Sequence, residues 1–151
     1  MKFPKLAQFA WIVLIYNFAV VAWGGWVRVS FSGDGCGGHW PLCDGRLIPP
    51  FADLKQIVEF SHRASSGLVL LLVGFLVWRA RKLFPAGDPV RKAASWSMVF
   101  TVSEAFVGGL LVLYRLVAYN DTVYRAVSMS MHLCNTFLLL GSLAMTAMLL
   151  S

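Results

Sequence analysis

The sequence predicts an all-α integral membrane protein, an antiparallel four-helix bundle with one longer loop outside the cytoplasm. Composition is the first reason: 58% of the 151 residues are hydrophobic and only 13% are charged, which is rare among soluble domains. Four apolar segments are the second reason, because each is close to the roughly 20 residues that span a bilayer core. They cover 9–27, 57–78, 93–113 and 126–150. We expect them to form a single domain, 1–151.

The first segment has some features of a cleaved signal peptide, since Lys2 and Lys5 precede an apolar run. It is long, ends in the bulky Trp23 and Trp26, and lacks a small-residue cleavage site. We therefore predict a retained helix.

Positive charge is clustered between the second and third segments, at Arg79, Arg81, Lys82, Arg91 and Lys92. Lys2 and Lys5 fall on the same side, which the positive-inside rule assigns to the cytoplasm. The total counts on the two sides are nearly balanced, so the prediction depends on this cluster. We expect a multi-pass protein of the cell's inner (cytoplasmic) membrane with a cytoplasmic N-terminus. The net charge of +6 then indicates contact with an anionic lipid bilayer surface, not with nucleic acid.

The loop between the first two segments, about 28–56, carries Cys36 and Cys43 around a glycine-rich turn that contains proline. Such a turn can bring two cysteines within disulfide distance, and an oxidising outer compartment preserves the bond. A redox-active pair, or half of a metal site with His39, is an alternative. The spacing disfavours zinc, and no fourth ligand is near. Cys134, inside the fourth segment, is interpreted as a small packed apolar residue.

Ionisable side chains stand inside the apolar segments. Glu59, His62 and Arg63 lie at the mouth of the second segment, and His132 lies at a similar depth in the fourth. Inserting such a group costs roughly 3 kcal/mol, which makes each one a functional-site hypothesis. Two histidines at one depth in a bundle suit heme, because bis-imidazole ligation leaves a flat apolar macrocycle between the helices. The alternative is that each imidazole only bonds a neighbouring helix.

Three further residues belong to this candidate site. Arg63 and Arg28 are candidates to pair with the anionic propionates of a heme, although Arg28 is also explained as a charge that snorkels to the interface. Glu104, near the middle of the third segment, must be protonated, paired or facing a polar cavity. We place it near the ligand pocket.

Motifs spread over nearly the whole chain form a specific combination. They are Gly24-Gly25-Trp-Val-Arg28, Cys36 through Trp40-Pro41-Leu42-Cys43, Glu59-Phe-Ser-His62-Arg63, Glu104 ahead of Gly108-Gly109, and His132-Leu-Cys-Asn135-Thr136. Together they resemble the heme A synthase family. The cysteine pair around Trp-Pro-Leu, combined with the Glu-x-x-His-Arg helix, makes the resemblance specific, whereas each motif alone would be weak.

The resemblance implies an integral membrane enzyme that oxidises the methyl group of heme O to the formyl group of heme A for cytochrome oxidase biogenesis. It implies that Glu59 is the catalytic group, that His62 and His132 are axial ligands of the heme iron, and that Cys36 and Cys43 form a disulfide. Heme O would be the substrate and heme A the product, and heme b is a further candidate ligand. Heme O synthase and cytochrome oxidase subunits are the implied protein partners.

The chain resembles only the N-terminal half of this family, whose members usually have eight helices and hold heme b in the second half. We therefore expect one heme per chain and a homo-oligomer or a second half-protein that restores the missing half; a truncated or split gene is an alternative. A non-catalytic heme-binding membrane protein, either an electron carrier or an oxidase assembly factor, is the alternative function. Glu59 beside His62 favours the enzyme, and the missing second heme favours the carrier. A small transporter based on Glu104 would leave the histidine pair unexplained.

Overall fold

The computed structural model describes residues 3–151, and within them it contains four helices and no strand. They are α1 (Pro4–Val29), α2 (Leu54–Leu83), α3 (Pro89–Leu113) and α4 (Val123–Leu150). All four are long and apolar enough to cross a membrane, which supports a multi-pass membrane protein. The predicted all-α, four-helix class is confirmed. Met1 and Lys2, the second of which was counted among the cytoplasmic charges, lie outside the described residues.

Polar caps explain why the helices begin before the apolar segments do. The side chain of Asp53 accepts a hydrogen bond from the backbone N–H of Gln56, and that of Asp88 accepts one from Val90. Thr122 does the same for Arg125 at the start of α4. Each cap satisfies a backbone donor that the first turn of a helix leaves free. A hydropathy profile does not register these residues, so it places the helix starts too late.

The helices form a square bundle in which each packs against the next and α4 returns to α1. Within residues 3–151, α2 and α4 have no close backbone approach and face each other along a diagonal. Edge-on ring contacts pair Phe3 with Phe84 and Phe9 with Phe75, at 5.3 and 5.2 Å between centroids. Residues later in α1 therefore contact residues earlier in α2, so these two helices run in opposite directions.

The two longer connections, 30–53 and 114–122, lie at one end of the bundle, which we call the loop end. Phe31 of the first connection stacks on Tyr119 of the second, with the ring centroids 5.1 Å apart. Gly33 also packs closely against Val117, because a Cβ added to this glycine would lie 3.1 Å from the valine Cβ. The two connections therefore form one layer over the helix ends.

The hydrophobic core occupies the half of the bundle away from the loop end. Its buried members include Leu6 to Val20 of α1, Val69 to Ala80 of α2 and Leu139 to Leu150 of α4. In the loop half the buried side chains include polar ones, namely Gln56, Glu59 and Thr136. Large apolar side chains such as Ile15, Leu71, Phe106 and Phe137 are exposed on the outside, as expected where lipid is the solvent. The site described next lies in the loop half.

Candidate functional site

His62 of α2 and His132 of α4 project into the loop half from the two diagonal helices. The ring of His62 lies against α1, where a Cβ added to Gly24 would come within 2.9 Å of its Cε1 and 3.2 Å of its Nε2. The ring of His132 lies beside Gly108 of α3, at 3.5 Å from Cε1 by the same measure. Each thus stands where a neighbouring helix carries no side chain.

Neither imidazole has a well-formed hydrogen bond at Nδ1. In residues 3–151 the Nδ1 atoms of His62 and His132 are both buried and lack a hydrogen-bond partner. His132 Nδ1 does lie 3.2 Å from Glu104 Oε1, which is close enough for an ion pair but is not aligned as a hydrogen bond. One interpretation was that each histidine only forms a hydrogen bond to a neighbouring helix. At Nδ1, no contact supports this for His62, and only the poorly aligned contact with Glu104 supports it for His132.

Glu104 of α3 is paired with α4. Its Oε2 accepts a hydrogen bond from Asn135 Nδ2 at 2.6 Å, and its Oε1 accepts one from the Thr136 hydroxyl. The Asn135 side chain is fixed in turn, because its Nδ2 donates to the Phe100 carbonyl at 3.0 Å and its Oδ1 accepts from the Ser103 hydroxyl at 2.7 Å. The structure thus gives this carboxyl group polar partners on a second helix. Its partners lie on the same helix as His132.

Glu59 is the most deeply buried charged residue of the site, with a relative exposure of 3%. Its Oε1 accepts a hydrogen bond from Arg63 Nε at 3.1 Å and a second one from Nη2. Its Oε2 accepts from the backbone N–H of Cys36 at 2.7 Å. The carboxylate is therefore held by a cation from its own helix and by the backbone of the loop.

Arg63 joins the same loop. Its Nη1 donates to the carbonyl oxygens of Leu42 and His39, and with the two bonds to Glu59 this engages four of the five guanidinium N–H groups. The sequence suggested a propionate partner for Arg63, but in the structure the side chain is directed to Glu59 and the loop, which leaves one N–H for any further ligand.

Cys36 and Cys43 form a disulfide with a Cα–Cα distance of 4.4 Å, and both are fully buried. Of the interpretations open for this pair, the disulfide is the one that the structure shows. Gln56 Nε2 donates to Asp44 Oδ2 at 2.7 Å, and this bond links the residue after the disulfide-closed loop 36–43 to α2.

The indole ring of Trp40, in the same loop, packs on α3, since a Cβ added to Gly109 would lie 2.9 Å from it. The loop thus bridges α2 and α3 at the loop end.

The prediction for Cys134 is wrong. This residue is exposed on the outside of α4 and is not packed. The reason is its place on the helix, because the flanking Leu133 and the nearby Phe137 and Leu138 are exposed as well. A small apolar thiol on a face that contacts lipid needs no packing partner.

Arg28 lies in the last turn of α1, is exposed, and lines a cavity of about 290 Å³ between α1 and α4. A larger cavity of about 370 Å³, lined by Arg81, Arg91 and Trp96 among others, lies between α2 and α3 near the 84–88 connection and contains none of the predicted site residues. We therefore locate the candidate site from the histidines and their contacts, not from the size of the cavities.

Sequence reasoning missed several contacts of the site, among them Glu59 with Arg63, Thr136 with Glu104, and Trp40 with Gly109. Glu59 and Arg63 are four residues apart on one helix, a spacing that favours an ion pair and could have predicted their contact. Thr136 lies four residues after His132 and hence on the same helical face. The contact of Trp40 with Gly109 left no comparable signal, because the two residues are far apart in the chain.

The fold and the site define a class: a multi-pass α-helical membrane protein with its hydrophobic core in one half of the bundle and a polar site with two histidines in the other. The chain belongs to the family of cytochrome oxidase assembly proteins, which it matches over residues 7–151. The resemblance to heme A synthase is likewise confirmed by the relatives described next.

Three relatives illustrate the match. A protoheme IX farnesyltransferase of Thermus thermophilus is 45% identical over 150 residues, which are 97% of this chain and 25% of that protein. A heme A synthase of Symbiobacterium thermophilum is 40% identical over 126 residues, or 83% of this chain and 40% of the relative. A heme A synthase of Exiguobacterium is 34% identical over 112 residues, or 74% and 37%. The chain thus spans a quarter to two fifths of the length of these relatives, and no solved structure matches it.

Proposed function

We propose that the chain binds heme O between α2 and α4 and converts its methyl group to the formyl group of heme A during cytochrome oxidase biogenesis. The observation that carries the proposal is the pair His62 and His132, which lie on diagonal helices in the half of the bundle away from the hydrophobic core, each beside a glycine of a neighbouring helix. Membership of the cytochrome oxidase assembly family and the heme A synthase relatives support the choice of reaction.

The donor set fits a heme better than a bare metal ion. Within residues 3–151 no group of three or more His, Cys, Asp or Glu side chains could hold an ion. A heme brings most of the ligands of its iron with it and would need only one or two side chains from the protein, which His62 and His132 would supply. Gly24 and Gly108 keep the helices beside those imidazoles free of side chains. His62 and His132 are therefore the proposed ligands.

Glu59 is the proposed catalytic residue. It lies three residues before His62 on α2, so the two side chains share a face of the helix about one turn apart. Heme O would supply the methyl group; its conversion to a formyl group takes up an oxygen atom, as from water, and releases electrons and protons, so the electrons would pass to the heme b of a partner. A carboxylate fixed at this distance can accept a proton released during that oxidation. Arg63 and the Cys36 backbone hold Glu59 in place, and burial keeps bulk water away from it.

Partners are part of the proposal. These 151 residues contain three histidines, of which the proposed site uses two. We propose that a second copy, or a separate half-protein, supplies the electron-transfer heme b. The relative named as a protoheme IX farnesyltransferase carries a segment similar to this chain, which favours a heme O synthase as the partner that delivers the substrate.

The proposed orientation places the N-terminus in the cytoplasm and the loop end outside the inner membrane. The basic cluster from Arg79 to Lys92 lies at the other end of the bundle, where the positive-inside rule expects it. A disulfide at the loop end supports this orientation, because such a bond persists in an oxidising compartment.

A non-catalytic heme carrier or assembly factor is the second candidate. The observation in its favour is the single histidine pair, which provides for one heme where the proposed reaction requires electron transfer as well. Such a protein would bind heme through His62 and His132 but would leave the methyl group unchanged.

The test is to express the full chain with a source of heme O in cells that make no heme A, and then to extract and identify the hemes. We expect heme A in these cells and a low-spin heme spectrum of the purified protein. His62→Ala and His132→Ala should abolish both, whereas His39→Ala, in the exposed loop, should preserve both. Unchanged heme content in the first two variants would refute the site. Histidine-dependent heme binding without heme A would select the carrier.

A further inference from the structure

We infer that Arg28 and Arg125 form an anion-binding site at the loop end that holds the propionate carboxylates of the bound porphyrin. The inference rests on the proposed function and deepens it, because it assigns the orientation of the macrocycle and adds Arg125, which belongs to none of the motifs described above. Both side chains line the cavity of about 290 Å³ between the last turn of α1 and the first turns of α4.

The two arginines of this cavity are not ion-paired. Within residues 3–151 neither Arg28 nor Arg125 has a carboxylate within ion-pairing distance. The Nε of Arg125 is buried without a hydrogen-bond partner. Asp121 also lines the cavity, so two guanidinium groups stand against one carboxylate and the net charge is positive. A buried donor of this kind is costly unless it is paired, and the planar guanidinium fork suits a carboxylate.

The cavity is in register with the histidines. Arg28 follows Gly24 by four residues, so it lies on the face of α1 that contacts His62, one turn nearer the loop end. Arg125 precedes His132 by seven residues, so it lies on the same face of α4 at about 10 Å along the helix. Met129, between them on that face, lines the cavity as well. Neither histidine lines the cavity itself, which lies nearer the loop end than the imidazoles on the same faces of α1 and α4.

A single porphyrin would contact both the histidines and the arginines of the cavity. Its two propionates leave from one edge of the macrocycle. If the iron is held between His62 and His132 with this edge towards the loop end, the carboxylates point at the cavity. The headgroup of an anionic lipid would offer the same chemistry. The register with the histidines and the buried Nε of Arg125 favour the porphyrin.

The experiment titrates the purified full chain, in nanodiscs of zwitterionic lipid, with iron protoporphyrin IX and with its dimethyl ester, in which both propionates are neutral. We expect the wild-type chain to bind the acid roughly 10- to 100-fold more tightly than the ester, as charge-assisted hydrogen bonds would give. Arg28→Gln and Arg125→Gln should each weaken binding of the acid roughly tenfold and reduce the preference. Both should keep the low-spin spectrum, which reports the histidine ligands.

Two controls complete the design. Arg115→Gln changes a cation of the loop end that does not line the cavity, so it should bind both porphyrins like the wild type. Arg125→Lys keeps the charge but loses the fork, so its preference should be intermediate; thermal unfolding of each variant checks that it folds.

Equal wild-type affinity for acid and ester, or a wild-type preference retained by both glutamine variants, would overturn the inference while leaving the heme site intact. A repeat with phosphatidylglycerol in the nanodiscs tests the lipid alternative. Arginine-dependent binding of that lipid, without any preference for the acid, would assign the cavity to lipid and overturn the inference as well. Failure of both porphyrins to give a histidine-dependent spectrum would overturn this inference and the proposed function together.

Discussion

The carboxylate of Glu59 accepts a hydrogen bond from the backbone N–H of Cys36 at 2.7 Å, and this bond joins α2 to the disulfide ring. Arg63, one turn further along α2, binds both the carboxylate and the Leu42 carbonyl inside the ring. The same few contacts therefore fix the position of the loop and the position of the proposed catalytic group.

This arrangement makes the two common substitutions of Glu59 unequal. Glu59→Gln loses the negative charge but keeps the shape and one acceptor oxygen, whereas Glu59→Ala removes both acceptors and leaves Arg63 without any side-chain partner there, which costs about 3–5 kcal/mol. We expect the glutamine variant to fold and bind heme while heme A formation stops, and the alanine variant also to unfold at a lower temperature. Extracted heme and thermal unfolding in detergent measure the two effects. Continued heme A formation by Glu59→Gln would show that the carboxylate is not catalytic.

Gly24 and Gly25 provide a matched pair of substitutions. A Cβ at Gly24 would overlap the His62 ring, at 2.9 Å from Cε1, whereas one at Gly25 would meet nothing within 4 Å. We therefore expect Gly24→Ala to displace His62 and to lower the heme content of the purified protein severalfold, and Gly25→Ala to leave it unchanged. Heme absorbance per polypeptide is the measurement. Equal heme content in the two variants would mean that this contact does not position the ligand.

We expect Glu104 to influence heme binding by fixing the orientation of the His132 imidazole. Its partners Asn135 and Thr136 flank the turn of α4 that follows the histidine, and Nδ1 of His132 is 3.2 Å away. Groups that orient a metal ligand typically contribute about 10- to 100-fold in affinity. We expect Glu104→Ala to speed heme dissociation by about this factor and to shift the absorption bands, with a smaller effect for Glu104→Gln, which keeps the shape. Wild-type dissociation and spectra in the alanine variant would refute this role.

The disulfide between Cys36 and Cys43 leads to a simple prediction for thiol labelling. The protein denatured in detergent without reductant should react with maleimide only at Cys134, because Cys36 and Cys43 are bonded to each other. Prior reduction should raise the number of labelled residues to three. Mass spectrometry of the labelled peptides identifies each site, and label on Cys36 before reduction would contradict the disulfide.

The sequence was sufficient for the fold because membrane insertion depends on long apolar runs, and those runs are read directly. It was also sufficient to place Glu59, His62 and His132 near a polar site, since an ionisable residue in such a run needs a reason. Polar contacts between residues far apart in the chain could not be predicted from it. The carbonyl acceptors of Arg63 lie 24 and 21 residues away, at His39 and Leu42, and nothing in the local pattern around Arg63 indicates which carbonyl oxygens an irregular loop will present.

The sequence also did not predict that Cys134 lies on the surface of the bundle. Helix α4 is apolar on its inner and outer faces alike, because lipid and the bundle interior accept the same side chains. Hydropathy therefore indicates that the helix spans the membrane but not which of its faces is inside. The polar residues His132, Asn135 and Thr136 are the ones that mark the inner face.

Because the bundle is divided into a packed half and a polar half, the residues that contribute most to the free energy of unfolding are largely distinct from those that would contact a ligand. Substitutions around Val13, Val73, Leu76 and Leu143, which are fully buried in the packed half, would open cavities of the kind that cost about 2–5 kcal/mol. The loop half offers few such positions. A library of variants around His62 and His132 that leaves Glu59 and Arg63 unchanged could therefore be screened for binding of other tetrapyrroles with most members still folded.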